Sequence, residues 1–435
     1  MRAVTRAGGG GLAFDGGGAV VDWVLEMRRF GAEDLFDRMA EAHRLTPQLM
    51  RDLADIIADF HRSAEIVAGR GGSATLDATI TGNNANLRLA APPLDRGMVD
   101  TLCAASRERL IAVGPLLDRR RDHGLVRRCH GDLHLRNICL FEGRPTLFDG
   151  IEFNDDFACI DPLYDLAFLL MDLAHRGLAE FGNLIFNRYL DRTGDSDGLA
   201  AMPLFLSLRA AVRAHVLGAL LRSAGGEAQD AATAQEARAY LALALALLSP
   251  CRPRLIAVGG LSGSGKSTVA AALAAGLAPT PGARVIRTDT LRKRLAGVAP
   301  ETRLPPTTYT LEASRRVYAA LDAEAGTTLA AGYSVIADAA FLRPEERQAI
   351  AATAQAVGVP FTGLWLEAPA HLLARRVEER RADASDADRR IIEHQLAMDI
   401  GTLDWHPIDA SGDTASTIAA ARAVSATETP ERSLS

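Results

Sequence analysis

The sequence predicts two unlike halves: a mostly helical α+β unit over residues 1–250 and an α/β unit with a parallel sheet over residues 251–435. Three observations carry this. Up to residue 248 long helical spacings dominate and short β runs are few. After residue 254 strand and helix patterns alternate regularly, as in a parallel sheet with helices on both faces. Between them LSPCRPR, with two prolines, interrupts an alanine-rich helical pattern. A chain of 435 residues also exceeds one ordinary core, at about 150 residues per domain.

With 48% hydrophobic and 23% charged residues the chain can bury real cores. A net charge of -6 argues against general nucleic-acid binding, which needs an excess of basic side chains. The cysteines Cys103, Cys129, Cys139, Cys159 and Cys251 form no CxxC pair and are expected as buried, reduced thiols. The opening MRAVTRAGGGGLAFDGGG has no apolar targeting segment, and no run reaches the roughly 18 uncharged apolar residues of a membrane helix. A soluble cytoplasmic protein with no membrane partner is the expectation; nothing in the sequence reads its oligomeric state.

In the first half, GLAF and AVVDWVLEM alternate with glycine turns and predict strands of a small sheet. Helical spacing covers 47–69 and 96–122. Short β runs VRRCH, NICLF and TLFDG follow, with a turn at Glu142-Gly143-Arg144, and then helices over 161–248, broken near 193–195 and 225–226. Asp161 before Pro162 reads as a helix N-cap, with Asp165 complementing the dipole in the first turn. Cys129, His134 and His175 read as packing or surface residues. In the second half RLIAVGG, ARVIRTD, SVIADAAF and FTGLWLEA are the strands, and SATETPERSLS is a frayed tail.

The sharpest motif is Gly260-Leu261-Ser262-Gly263-Ser264-Gly265-Lys266-Ser267, followed by Thr268. It fits the pattern GxxxxGK followed by Ser or Thr and lies between a β run and a helix former, the order this loop requires. Successive backbone amides and the helix amino terminus then cradle phosphate, Lys266 reaches the outer phosphates and Ser267 offers its hydroxyl to Mg²⁺. ATP and Mg²⁺ are the cofactors so implied.

Downstream, Asp289 and Arg292 are expected at the carboxyl edge of the sheet, where open α/β sheets bind ligands, and Asp338 arrives there on the third run. One acid would assist Mg²⁺ and the other accept a proton from a substrate hydroxyl; capping or a surface turn is the plainer reading of each. Arg375, Arg376, Arg380 and Arg381 fall on one helical pattern, with Arg376 and Arg380 sharing a face, as in an arginine-bearing lid over the phosphates. A solvated helix paired with Glu378 and Glu379 explains the same residues.

A second constellation is His130-Gly131-Asp132-Leu133-His134-Leu135-Arg136-Asn137, with the HxDxxxxN spacing of a kinase catalytic loop. Asp132 would accept the hydroxyl proton, Asn137 would hold a metal ion, and Asp149, after a hairpin, would be the second metal carboxylate.

These residues carry two resemblances. Residues 254–425 resemble the P-loop small-molecule kinases, an AAA-type group that includes gluconate kinase, zeta-toxin-like kinases and polynucleotide 5′-hydroxyl kinases. HGDLHLRN, FDGIEFN and DPLYDLAFLLMDL resemble the aminoglycoside phosphotransferase family over roughly 20–245, in particular bifunctional proteins in which such a domain precedes a P-loop kinase. The first implies a P-loop NTPase fold; the second implies a protein-kinase-like carboxy-terminal lobe, with AVVDWVLEMRRF as last amino-lobe strand and hinge. Such folds use an amino-lobe lysine on the α and β phosphates, yet no lysine precedes Lys266. The amino-terminal lobe is therefore expected to be largely missing from this sequence, either because the true start lies upstream or because the module binds substrate or regulates.

The leading expectation is an ATP-dependent phosphotransferase whose P-loop half acts on a small hydroxylated molecule. An ATP-binding or ATPase switch would fit the same motifs without acceptor-dependent turnover, and a zeta-toxin-like nucleotide-sugar kinase would betray itself by toxicity on expression.

Overall fold

A computed structural model describes residues 1–26, 28–90, 93–223, 227–378 and 389–427. The chain opens with an antiparallel sheet in the order β2-β1-β3, from β1 (Arg2–Arg6), β2 (Leu12–Phe14) and β3 (Val20–Val24). β1 lies outside the expected β runs, because its inward residues are only Ala3 and Thr5 and show no apolar alternation.

Four helices follow: α1 (Phe36–Glu41), α2 (Pro47–Ser63), α3 (Gly72–Leu89) and α4 (Arg96–Asp122). Thr46 caps α2 by accepting from Leu49 N, and Pro47 takes the first helical position, where its missing N–H costs nothing. Met50, Leu53, Ala54, Ile57, Ala58 and His61 then form one buried face. The helix ends at Ser63, short of the expected 69. α3 was absent from the sequence expectation: Gly, Ser, Thr and Asn make GSATLDATITGNNANLRL a weak helix former, and packing on α4 decides instead.

β4 (Arg127–Arg128) pairs with β7 (Cys159–Ile160), and between them lie the hairpin β5 (Ile138–Phe141)–β6 (Arg144–Leu147) and the short α5 (Asp155–Ala158). Then come α6 (Pro162–His175), α7 (Ala179–Thr193), α8 (Met202–Ser223) and α9 (Glu227–Leu248). α6 is apolar nearly all round and buried along almost its whole length, at the centre of one large core formed with α2, α4, α7, α8 and α9. Among the described residues one helical stretch, 197–222, is long and apolar enough to cross a membrane; most of its apolar window is buried.

The second half is β8 (Leu255–Gly260), α10 (Lys266–Ala274), β9 (Arg284–Arg287), α11 (Thr288–Leu295), α12 (Leu311–Ala330), β10 (Val335–Asp338), α13 (Pro344–Val357), β11 (Phe361–Glu367), α14 (Ala370–Glu378), α15 (Arg389–Leu396), β12 (His406–Asp409) and α16 (Thr414–Thr427). The five strands are parallel, in the order β12-β11-β8-β10-β9, with a separate hydrophobic core on each face. The fold is that of a P-loop NTPase preceded by a mostly helical kinase-like unit.

β9 is an edge strand, and its outer edge is covered by α7 of the first half. Asn183 and Asn187 donate to Ala283 O at 3.0 and 3.1 Å, and Val285 N donates to Asn187 Oδ1 at 2.7 Å, so side-chain amides continue the ladder that a sheet edge leaves open. Arg284, 1% exposed, bridges Asp191 on α7 at 2.7 Å and Glu324 on α12 at 2.9 Å.

Candidate functional site

The phosphate loop follows from its strand and helix. β8 is buried throughout and delivers the chain to the sheet's carboxyl edge; α10 starts at Lys266. Three glycines are required sterically, Gly260 among them, at φ +133 with a Cβ that would lie 2.5 Å from the carbonyl of Leu366. Gly265 sits at φ +92, a left-handed conformation that side chains rarely adopt, and a Cβ on Gly263 would lie 2.6 Å from the carbonyl of Leu373. Lys266 Nζ donates to Leu261 O at 2.9 Å, folding back over the loop.

Beside it opens a cleft of about 650 Å³. Ser262, Gly265, Lys266, Ser267 and Thr268 form one wall; Arg287, Asp289, Arg292 and Asp338 come from the ends of β9 and β10 and from α11; Arg343, Glu346, His394 and Gln395 complete it. Gly260, Gly263 and Ser264 do not line the cleft but shape the loop beneath it. Asp289 lies in the first turn of α11 rather than at the end of its strand. Arg292 donates to Thr308 O at 2.8 Å and lies over the Tyr309 ring at 4.8 Å, which fixes it on the wall opposite the loop. Asp338 is buried, with Arg287 Nε 3.3 Å from Oδ2; that oxygen has no hydrogen-bond partner among the described residues.

The arginine lid needs correcting. Arg376 turns away from this cleft and donates to Ala410 O and Gly412 O at 2.9 and 3.3 Å, so it ties α14 to the loop after β12. Arg380 lies outside the described residues, as does Arg381. The sequence reading missed Arg287, Arg343, Glu346 and the α15 residues. Their only signal was position after a strand or in a helix, and neither is distinctive.

At the cleft wall burial pushes the Glu346 carboxyl up, and burial, then Glu346, pushes Asp322 up to about 6. Asp322 Oδ1 lacks a hydrogen-bond partner among the described residues. Because the folded value exceeds the ordinary 3.8, the folded state holds this proton more tightly, and stability declines as pH rises from about 4 through 6. Asp322→Asn should therefore raise the melting temperature at pH 7.5 and leave it unchanged near pH 4. Melting curves at both values decide this; equal shifts would deny the carboxylate its penalty.

In the first half, the loop 130–137 is held from both sides. His130 N and Gly131 N donate to Asp165 at 3.1 and 2.8 Å, and Arg209 donates to Gly131 O at 3.0 Å. Asp165 also faces His61 Nε2 at 3.0 Å, and His61 Nδ1 faces Tyr189 OH on α7 at 3.0 Å. Asp165 is thus more than a first-turn acid, whereas Asp161 is the expected N-cap, accepting from Leu163 N and pairing with Arg120. Cys129 lies beside His61 and Asp165, yet both imidazole nitrogens and both carboxylate oxygens are already engaged, as in a clasp on the loop. No disulfide forms among the described residues.

Asn137 Nδ2 donates to Asp132 Oδ2 at 2.8 Å, and His134 Nε2 stands 3.4 Å from the same oxygen. Burial alone would push the Asp132 carboxyl up; His134 and Asn137 outweigh it and hold the group below its ordinary value. Asp149, at φ +58 and exposed, is returned beside this loop by the hairpin: Phe148 N donates to Asn137 O at 3.1 Å and Ile151 N to His130 O at 2.8 Å. The structure thus brings Asp132, Asn137 and Asp149 together in one place, and the phosphate-loop residues with Asp289, Arg292 and Asp338 in another.

These two sites define a class: a phosphotransferase-type module followed by a P-loop kinase-type module. Residues 14–205 match the model of the Phosphotransferase enzyme family and residues 255–398 that of an AAA domain. The chain belongs to one family with uncharacterized proteins of Mycobacterium tuberculosis and Mycobacterium bovis, each 30% identical over 419 residues, covering 92% of this chain and 80% of the relative. Among solved structures, a sugar kinase from Janibacter sp. HTCC2649 is similar at 22% identity and TM-score 0.31, covering 40% of this chain and 95% of its own. A gluconokinase from Sinorhizobium meliloti 1021 is similar at 24% identity and TM-score 0.29, covering 40% and 96%.

Proposed function

We propose that this protein is an ATP-dependent phosphotransferase acting on a small hydroxylated molecule, with transfer in the cleft of the 251–435 half, and that it works in the cytoplasm. The observation that supports this best is convergence: Lys266 and Ser267 after β8, Asp289 after β9 and Asp338 ending β10 meet at one cleft. On this reading the loop amides and Lys266 grip the phosphates, and Arg292 steadies the acceptor or the developing charge. Asp289 is the base for the acceptor hydroxyl.

A magnesium ion fits the donors present, since Ser267 supplies a hydroxyl and Asp338 a buried carboxylate oxygen without a hydrogen-bond partner among the described residues, both hard oxygen ligands. When bound, the ion would neutralise charge on the outer phosphates. In residues 1–250, Asp132 is assigned the corresponding proton-accepting role, with Asn137 and Asp149 as metal ligands.

The experiment is a screen of hydroxylated metabolites for acceptor-dependent ADP release, with product mass detection. ADP release that no acceptor stimulates would turn the reading toward an ATPase switch. With an acceptor in hand, Asp289→Asn should lower kcat by about 10²- to 10⁴-fold while MgATP affinity stays within about threefold. An unchanged transfer rate would reduce Asp289 to a first-turn acid of α11.

A further inference from the structure

One residue at the cleft has no part in the chemistry just described. Gln395, near the end of α15, directs Oε1 at the backbone N–H of Ser262, 2.9 Å away. The carbonyl of that same peptide unit, on Leu261, accepts from Lys266 Nζ at 2.9 Å. The Leu261–Ser262 peptide is thus held at both ends: by the ammonium group assigned to phosphate, and by a neutral carboxamide from outside the loop. A loop amide engaged in this way is satisfied without an anion.

The seating of α15 is shallow. Ile392, one turn before Gln395, joins Leu373 and Val377 of α14 in a cluster of three buried residues, separate from the cores on the two faces of the sheet, with Leu261 packed against it. A segment whose buried contacts among the described residues are this small a cluster opens locally at small cost compared with unfolding. Gln395 also borders a second, largely apolar cavity of about 570 Å³ between Leu261, Trp365, Leu373 and Met398, so Gln395 and Met398 lie between that cavity and the phosphate cleft.

We infer that Gln395 is a positioning residue that latches α15 to the phosphate loop, and that nucleotide binding and this latch draw on the same peptide. The inference rests on the cleft being a nucleotide site. A charged phosphate oxygen is a stronger acceptor for an amide than a neutral carboxamide. Moving Lys266 onto phosphate also releases the Leu261 carbonyl, so the peptide can reorient and α15 loosens. Linkage makes the effect mutual: whatever seats α15 more firmly weakens nucleotide binding by the same factor.

Hydrogen exchange across α15 and MgADP affinity, measured on the full chain, test this with two variants of unchanged circular dichroism. In nucleotide-free Gln395→Ala, exchange in α15 should speed up by about fivefold or more, approaching that of MgADP-saturated wild type. MgADP should bind that variant as well as wild type or better, since a competitor for the Ser262 amide is gone. Gln395→Glu keeps an acceptor, so α15 should stay protected, while the added charge beside the phosphates should weaken MgADP by about tenfold or more. The latch is overturned if Gln395→Ala leaves α15 exchange at the wild-type rate, and its link to nucleotide is overturned if Gln395→Glu binds MgADP like wild type. Should wild type bind no MgADP at all, the functional reading falls by itself, and exchange in the nucleotide-free protein still judges the latch.

Discussion

Lys266→Ala is expected to lower kcat/KM for MgATP-dependent turnover by at least about 10²- to 10³-fold, the usual cost of removing one preorganised charged donor from a transferring phosphoryl group. The neighbouring cations Arg287 and Arg292 already have partners. Arg287 lies 3.3 Å from the Asp338 carboxylate, and Arg292 is committed to Thr308 O and Ser314 Oγ. The other lysine, Lys293, is 1% exposed and donates to Pro300 O at 2.8 Å, on the buried side of α11. Even Lys266→Arg should recover little, because a planar fork does not replace a compact ammonium at the mouth of a loop this tight. Titration calorimetry with MgATP and a coupled ADP assay measure both steps. Full turnover in the Lys266→Ala protein would move the chemistry to the other half, where Asp132→Ala should then be the damaging change. With chemistry in the P-loop cleft, Asp132→Ala should leave that turnover within about twofold of wild type.

The parts of this molecule that the sequence made legible are those where backbone geometry forces residue choice. A strand, a glycine loop and Lys266-Ser267 at a helix start leave few other conformations, so the loop could be read directly. His130 to Asn137 was readable for a related reason: a fixed spacing that brings Asn137 back onto Asp132. What the sequence hid depends on contacts between distant segments. Asp165 looks like any first-turn acid until its two bonds to the backbone of His130 and Gly131 are seen. His61 sits on the apolar face of α2, where nothing in the sequence sets it apart, although it joins that clasp to Tyr189. Arg376 misled because helical spacing fixes which residues share a face but not what that face meets; here it meets the carbonyls of Ala410 and Gly412. α3 was missed because local propensity is weak where tertiary packing is strong.

The same limit hid the joint between the halves, and there the second large effect is expected. Arg284→Ala should destabilise the protein by about 3–5 kcal/mol, since it strips the buried carboxylate of Glu324 and the partly buried one of Asp191 of their common partner. Burial pushes Glu324 up, yet Arg284 and then Arg294 hold it below its ordinary value of 4.5. For a carboxylate lowered in this way, the stabilisation is present above pH 4.5 and lost as pH falls through the folded value. The penalty of Arg284→Ala should accordingly be full at pH 7 and shrink toward pH 4, where Glu324, which keeps Arg294 but has lost Arg284, takes up a proton. A double-mutant cycle with Glu324→Gln should show coupling of at least about 1 kcal/mol, because part of the loss is charge left unmatched. The site of the loss matters as much as its size. Arg284 lies on the edge strand whose ladder Asn187 completes, and Asn187 shares α7 with Tyr189, the outer end of the clasp on the first half's loop. Releasing that edge should separate one unfolding transition into two, observable by calorimetry. A single transition displaced by less than about 2 °C would mean that α7 merely rests against β9 and that other contacts join the halves.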